Sequence, residues 1–163
     1  MKVYGVTGWK NAGKTGLMER LVTEITGRGL TVSTLKHAHH SVDVDQPGTD
    51  SHRHRVAGAS EVLLASGQRV AIMQELRGAP EPSLDSLLAR LSPVDLVLIE
   101  GFKREAHSKI EAFRIEAGNP LIAPENDTVR AVASDTPLDL SIPVFDLDDT
   151  SGIADFILQE VGL

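Results

Sequence analysis

A chain of 163 residues, 41% apolar and 24% charged, has the composition of a folded domain rather than a disordered segment, and it reads as one domain over residues 1–163. Its net charge of −7 argues against nucleic acid or anionic membrane as a partner, and the absence of cysteine excludes disulfides, thiolate metal sites and a cysteine nucleophile. The charge is uneven: residues 1–58 hold eight Lys/Arg and five Asp/Glu, a net +3, whereas residues 59–163 hold eight and eighteen, a net −10, so an anionic ligand is expected in the first third.

Lys2 to Thr7 alternates and ends at Gly8, which predicts a strand running into a turn. Leu17, Leu21, Val22 and Ile25 recur at helical spacing, and Gly27-Arg28-Gly29 stops that helix. Leu30 to Leu35 predicts a second strand, and a polar stretch with Pro47-Gly48 follows it between Lys36 and Asp50. Ser51 to Ala57 reads as a short helix with Asp50 as its N-cap. Glu61 to Ala65 and Arg69 to Met73 read as a hairpin turning at Ser66-Gly67-Gln68. Leu84, Leu87, Leu88 and Leu91 give Ser83 to Leu91 one apolar helical face, and the nearly all-apolar Val94 to Ile99 suits a strand buried on both sides. Ile110 to Ile115, Ala131 to Ala133 and Val144 to Leu147 are further short strands. Ile153, Phe156, Ile157 and Val161 stripe a closing helix capped near Asp149 or Ser151. Strands alternating with helices predict an α/β fold, a mainly parallel sheet flanked by helices with a short hairpin insertion. No apolar run reaches the ~20 residues of a membrane span, so a soluble, cytoplasmic protein is expected.

Gly8-Trp9-Lys10-Asn11-Ala12-Gly13-Lys14-Thr15 fits G-x-x-x-x-G-K-[ST] between the first strand and the first helix. Glycines let successive backbone N–H groups face phosphate oxygens, and the helix N-terminus adds its positive dipole end. Lys14 is expected to reach the β- and γ-phosphates and Thr15 to ligate Mg²⁺, with Lys10 adding charge. Gly16 stands where a second hydroxyl residue is common, leaving only its backbone N–H for the α-phosphate. Glu100 closes the apolar run beside Gly101 and is the expected acid of the Mg²⁺ shell, at the strand edge where α/β ligand sites lie. Five of the six histidines, His37, His39, His40, His52 and His54, fall between positions 37 and 54 among Asp43, Asp45 and Asp50. Three readings of that segment stand open: a transition-metal site, groups completing an Mg²⁺-nucleotide or pterin-phosphate site, and a solvated polar loop.

Lys36-His37-Ala38-His39-His40, Asp43-Val44-Asp45-Gln46-Pro47-Gly48-Thr49-Asp50-Ser51 and Arg53-His54-Arg55-Val56-Ala57-Gly58-Ala59 together resemble the signature of the MobB family of molybdopterin-guanine dinucleotide biosynthesis accessory proteins. The phosphate loop, Ile99-Glu100-Gly101-Phe102-Lys103 and Ala133-Ser134-Asp135 resemble that family as well; Gly16 and Thr49 depart from it, where Thr and Lys are usual. The resemblance implies a P-loop NTPase-like, homodimeric, GTP-binding adaptor, at most a slow Mg²⁺-dependent GTPase. Such an adaptor assists the guanylyltransferase that joins GMP to Mo-molybdopterin and works among other molybdenum cofactor enzymes. By the same resemblance, Asp45 joins Glu100 as a catalytic and metal candidate, and Arg53, Arg55 and Lys103 are candidates for phosphate or pterin contact, with His37, His39 and Gly101 in the same site. Asp135 is a candidate to read the guanine N1–H and N2 amino group, or else a turn residue before Thr136-Pro137. Two other readings compete: a GTPase metallochaperone using His37, His39 and His40, and, ranked last, a small-molecule kinase using Arg53 and Arg55.

Overall fold

The structure, a computed structural model, describes residues 1–38 and 43–163. In chain order the elements are β1 (Lys2–Thr7), α1 (Lys14–Gly27), β2 (Val32–Lys36), α2 (Asp50–Val56), β3 (Glu61–Ala65), β4 (Val70–Gln74), α3 (Leu84–Leu88), β5 (Leu96–Glu100), β6 (Lys109–Phe113), β7 (Val129–Ser134), β8 (Val144–Asp146) and α4 (Thr150–Val161), with single 3₁₀ turns at Ile115–Ala117 and Ala123–Glu125. The chain forms two compact units, Met1–Ala38 with Ser92–Leu163, and His39–Leu91; in the second, β3 and β4 pair only with each other.

The first unit is a six-stranded, wholly parallel sheet in the order β2-β5-β1-β6-β7-β8, the P-loop NTPase-like arrangement expected. All strands therefore end at one edge, and β1 and β5 lie side by side in register, with Val6 opposite Glu100. Leu17, Leu21 and Ile25 of α1 and Ile153 and Ile157 of α4, all fully buried, pack on Tyr4, Val6, Leu98 and Ile110. Burying each such side chain stabilises by roughly 1.5–3 kcal/mol. Asp95 fixes the start of the β2–β5 pair, its Oδ2 accepting from Thr31 N at 2.7 Å and Thr31 Oγ1 at 2.6 Å.

The other face of the sheet carries polar side chains on β1 and β6, and they too are buried. Lys109 and Glu111 are fully inaccessible. The Lys109 ammonium donates to Glu105 O, His107 O and Thr128 Oγ1 at 2.6–2.8 Å, and the Glu111 carboxylate accepts from Ile122 N and Ala123 N at 2.8–3.0 Å. These bonds hold the segments that follow β5 and β6 against the sheet. The predicted strand over 110–115 is thus displaced to Lys109–Phe113, since Ile115 N turns away to Asp135 Oδ1 at 3.1 Å and starts a 3₁₀ turn.

In the second unit, β3 and β4 form the expected antiparallel hairpin, Leu63 opposite Ile72. Thr49, not Asp50, caps α2: its extended backbone (φ −67°, ψ 161°) lets its hydroxyl face His52 N, and Asp50 is already the first helical residue. The predicted helix over 83–91 is shorter, Leu84–Leu88, and starts from Ser83 as N-cap. Asp149 caps α4 through its contact with Gly152 N at 3.0 Å.

Candidate functional site

The loop from Gly8 to Gly13 leaves β1 at the strand-end edge. A Cβ on Gly8 would collide with the Ala112 carbonyl oxygen of β6, so only glycine lets the loop turn there (φ +141°). Asn11 (φ +65°) and Gly13 (φ +93°) also take left-handed backbone. Gly13 caps α1 without a side-chain bond, leaving the first N–H groups of α1 uncapped by any side chain at this edge. The Lys14 ammonium folds over the loop to Trp9 O at 2.6 Å, Ala12 is buried, and Lys10 and Asn11 are exposed. Burial lowers the Lys14 pKa below the ordinary lysine value; the Glu100 carboxylate opposes this, and the charges of Lys103 and Lys36 add to it. Three lysines thus act on one small region.

Glu100, the last residue of β5, is 8% exposed and pairs with Lys36 Nζ at 3.1 Å. Thr15, Lys36 and Glu100 line one cavity of about 410 Å³ together with the apolar Met18, Val22 and Leu35. The Thr15 hydroxyl and the Glu100 carboxylate are the hard oxygen donors that Mg²⁺ prefers, and a glycine-rich loop offers backbone N–H donors suited to phosphate. After Glu100 the chain turns sharply: Gly101 (φ +98°) would bring a Cβ to 3.2 Å from His37 Cβ. His37 N donates to Glu100 O at 3.0 Å, and its ring lies 4.6 Å from that of Phe102. Lys103 then reaches the phosphate loop, with Nζ 3.7 Å from the centre of the Trp9 ring. Trp9 is also held at its ring edge, Nε1 donating to Pro120 O at 2.8 Å. The residues that sequence reasoning missed are those behind this contact: Glu111 anchors the segment carrying Pro120, and its only sequence signal is the polar alternation of Lys109-Ile110-Glu111.

At the same edge, Asp135 follows β7 and adjoins a cavity of about 230 Å³ lined by Ser134–Pro137 and Val144–Asp146. The sheet therefore brings Gly8–Gly16, His37, Glu100, Gly101, Lys103 and Asp135 to one edge. The remaining candidates lie in the second unit, except His39, which lies outside the described residues along with His40. Arg53 is exposed. Arg55 is held by Glu75 at 2.6 Å, Asp43 at 2.8 Å and Asp45 at 3.1 Å. Its guanidinium pulls the Asp43 carboxyl below the usual range. Burial pushes Asp45 up, but bonds from Ser51, Arg55 and Thr49 outweigh it and the net direction is down. Arg55 and Asp45 thus neutralise each other inside the unit. Among the described residues, no group of three or more histidines and carboxylates is arranged to hold a metal ion. No helix among them is long and apolar enough to cross a membrane.

A family model described as MobB, molybdopterin guanine dinucleotide synthesis protein B, matches residues 3–135. The chain is 42% identical over 154 residues to the molybdopterin-guanine dinucleotide biosynthesis adapter protein of Escherichia coli K12, covering 93% of this chain and 88% of that one. It is 45% identical over 159 residues to the protein of the same description from Haemophilus influenzae, covering 95% and 86%. The crystal structure of a MobB homologue from Bacillus stearothermophilus superposes with a TM-score of 0.73 at 30% identity, covering 99% of both chains.

Proposed function

The chain belongs to the MobB family, and we propose that it acts as an adapter in molybdopterin-guanine dinucleotide biosynthesis, binding GTP with Mg²⁺ at the edge of its parallel sheet. The observation that carries the nucleotide reading is the convergence of the glycine cradle, Lys14, Thr15 and Glu100 on one strand edge. Backbone N–H groups and Lys14 would hold the β- and γ-phosphates; Thr15 would ligate the metal and Glu100 would orient its water shell. The metal neutralises phosphate charge when bound. Lys103 and Lys10 add positive charge beside the cradle, and Asp135 supplies a carboxylate for the two donors of the guanine edge.

Asp45, Arg53 and Arg55 belong to the other unit, where Arg55 is engaged by three carboxylates; phosphate or pterin contact by Arg55 would require it to leave them. Slow hydrolysis at most fits an adapter, since occupancy by nucleotide is enough to bias partner binding. The partners are the guanylyltransferase and other molybdenum cofactor enzymes, in the cytoplasm. A second copy of the chain is the expected companion: Leu63, Val70 and Ile72 expose about 60% of their surface on one face of a two-stranded hairpin with open edges.

The test is reconstitution: guanylyltransferase, Mo-molybdopterin and GTP with and without this protein. Added protein should raise the yield of guanine dinucleotide, and Lys14→Ala protein should not. No stimulation by the wild-type chain would overturn the adapter reading.

A further inference from the structure

Arg114 is the first residue beyond β6, at the strand edge that carries the phosphate loop, and β6 is the direct neighbour of β1. Its guanidinium lies close beside Gly13: a Cβ there would be 3.1 Å from Nε and 3.6 Å from Cζ, with Leu147 Cδ2 at 3.2 Å. The guanidinium therefore sits at the start of α1, and Leu147, the residue after β8, also approaches Gly13. Arg114 is exposed, and none of the described residues gives it an ion pair or a hydrogen bond. A surface arginine usually points at a carboxylate or at water; this one lies beside a glycine that has no side chain to keep it away. The next residue ties it to the neighbouring strand, because Ile115 N donates to Asp135 Oδ1 at 3.1 Å, and no described residue bonds Asp135 Oδ2. Asp135 borders the 230 Å³ cavity at the ends of β7 and β8. The order along the edge is thus phosphate cradle, Arg114, Asp135.

We propose that Arg114 binds the nucleobase, its planar guanidinium stacking on the purine face while Asp135 takes the donor edge. The proposal rests on the nucleotide reading above. A purine nucleotide with phosphates in the Gly8–Thr15 cradle and its base edge at Asp135 has to cross Arg114. A delocalised planar cation with no competing carboxylate is suited to a π-face. Lysine, a point charge without a plane, is not equivalent.

The experiment is calorimetry on the full chain with Mg²⁺-GTP and with Mg²⁺-tripolyphosphate, for wild type, Arg114→Ala and Arg114→Lys. Arg114→Ala should weaken GTP about tenfold and leave tripolyphosphate unchanged within about twofold, and Arg114→Lys should restore only part of the GTP affinity. GTP affinity unchanged in Arg114→Ala, or full recovery in Arg114→Lys, would overturn stacking. A parallel loss of tripolyphosphate binding would make Arg114 a phosphate ligand and also overturn it. Wild-type protein that binds neither ligand would remove the phosphate-cradle reading and this proposal together, an outcome visible before any variant is compared.

Discussion

Lys14 shows how one side chain can be prepared for an anion. It is folded onto Trp9 O at 2.6 Å, partly desolvated, and surrounded by the fields of Glu100, Lys36 and Lys103. An incoming phosphate relieves the burial cost of that ammonium, because the charged form gains a counter-charge in a low-dielectric place. His107 illustrates the opposite case. Both ring nitrogens are buried with no hydrogen-bond partner, and Nε2 would lie 2.6 Å from a Cβ on Gly5, so a side chain there would displace it. Burial, with help from the Lys109 charge, lowers its pKa to about 4 from an ordinary 6.5. Between those values the unfolded chain binds the proton and the folded chain does not. Stability contributed by the neutral ring is therefore full above pH 6.5 and is lost as pH falls toward 4. Urea unfolding at pH 7 and pH 4.5 should show this, and His107→Leu should remove about 1–2 kcal/mol of the difference, allowing for partial solvent screening. Equal pH slopes in wild type and variant would contradict it.

At the scale of elements, the phosphate loop is held by a neighbouring strand and two connecting segments as well as by its own bonds to Trp9 O. Gly8 passes the Ala112 carbonyl of β6 too closely for any side chain, and Trp9 is held by Lys103 and Pro120. Gly8→Ala combines that collision with a left-handed backbone, and should cost about 2–3 kcal/mol. Thermal unfolding measures it; a variant as stable as wild type would show that the loop is free of β6. The motif Gly8–Thr15 and the buried strand, read over Val94–Ile99 and found at Leu96–Glu100, were legible in the sequence, because each depends on local pattern: glycine spacing and an unbroken apolar run. Lys103 was a candidate only through the family resemblance, and its contact with the distant Trp9 was not legible. Nor were Arg114, Glu111 and Lys109. Their roles arise from parallel pairing of β1 with β6, which brings together residues about 100 positions apart. Polar alternation on β6 suggests one solvated face, yet connecting segments cover it. Arg55 was misleading in the other direction: in sequence it is one of a cluster of cations, whereas three carboxylates enclose it. The α2 cap shifted to Thr49 for a local reason, the extended backbone at that residue.

For the whole molecule, the uneven charge acquires a place. The net +3 of residues 1–58 includes Lys10, Lys14 and Lys36 at the cradle, while the acidic remainder supplies Glu100 and Asp135 at the same edge. The exposed apolar face of the hairpin is the other large-scale feature. Replacing Leu63 and Ile72 together with Asp should convert a dimer to a monomer in sedimentation velocity, with the sheet unit still folded by circular dichroism; a wild-type chain that is already monomeric at tens of micromolar would contradict dimerisation through this face. The most direct test of the central claim, a guanine nucleotide held by the Gly8–Thr15 cradle with Mg²⁺, is calorimetric titration of wild-type and Lys14→Ala protein with GTP and ATP. The expected result is Mg²⁺-dependent GTP binding at least about tenfold tighter than ATP, weakened roughly 10- to 100-fold by Lys14→Ala. Equal affinity for GTP and ATP would contradict the guanine assignment, and unchanged affinity in Lys14→Ala would contradict the cradle itself.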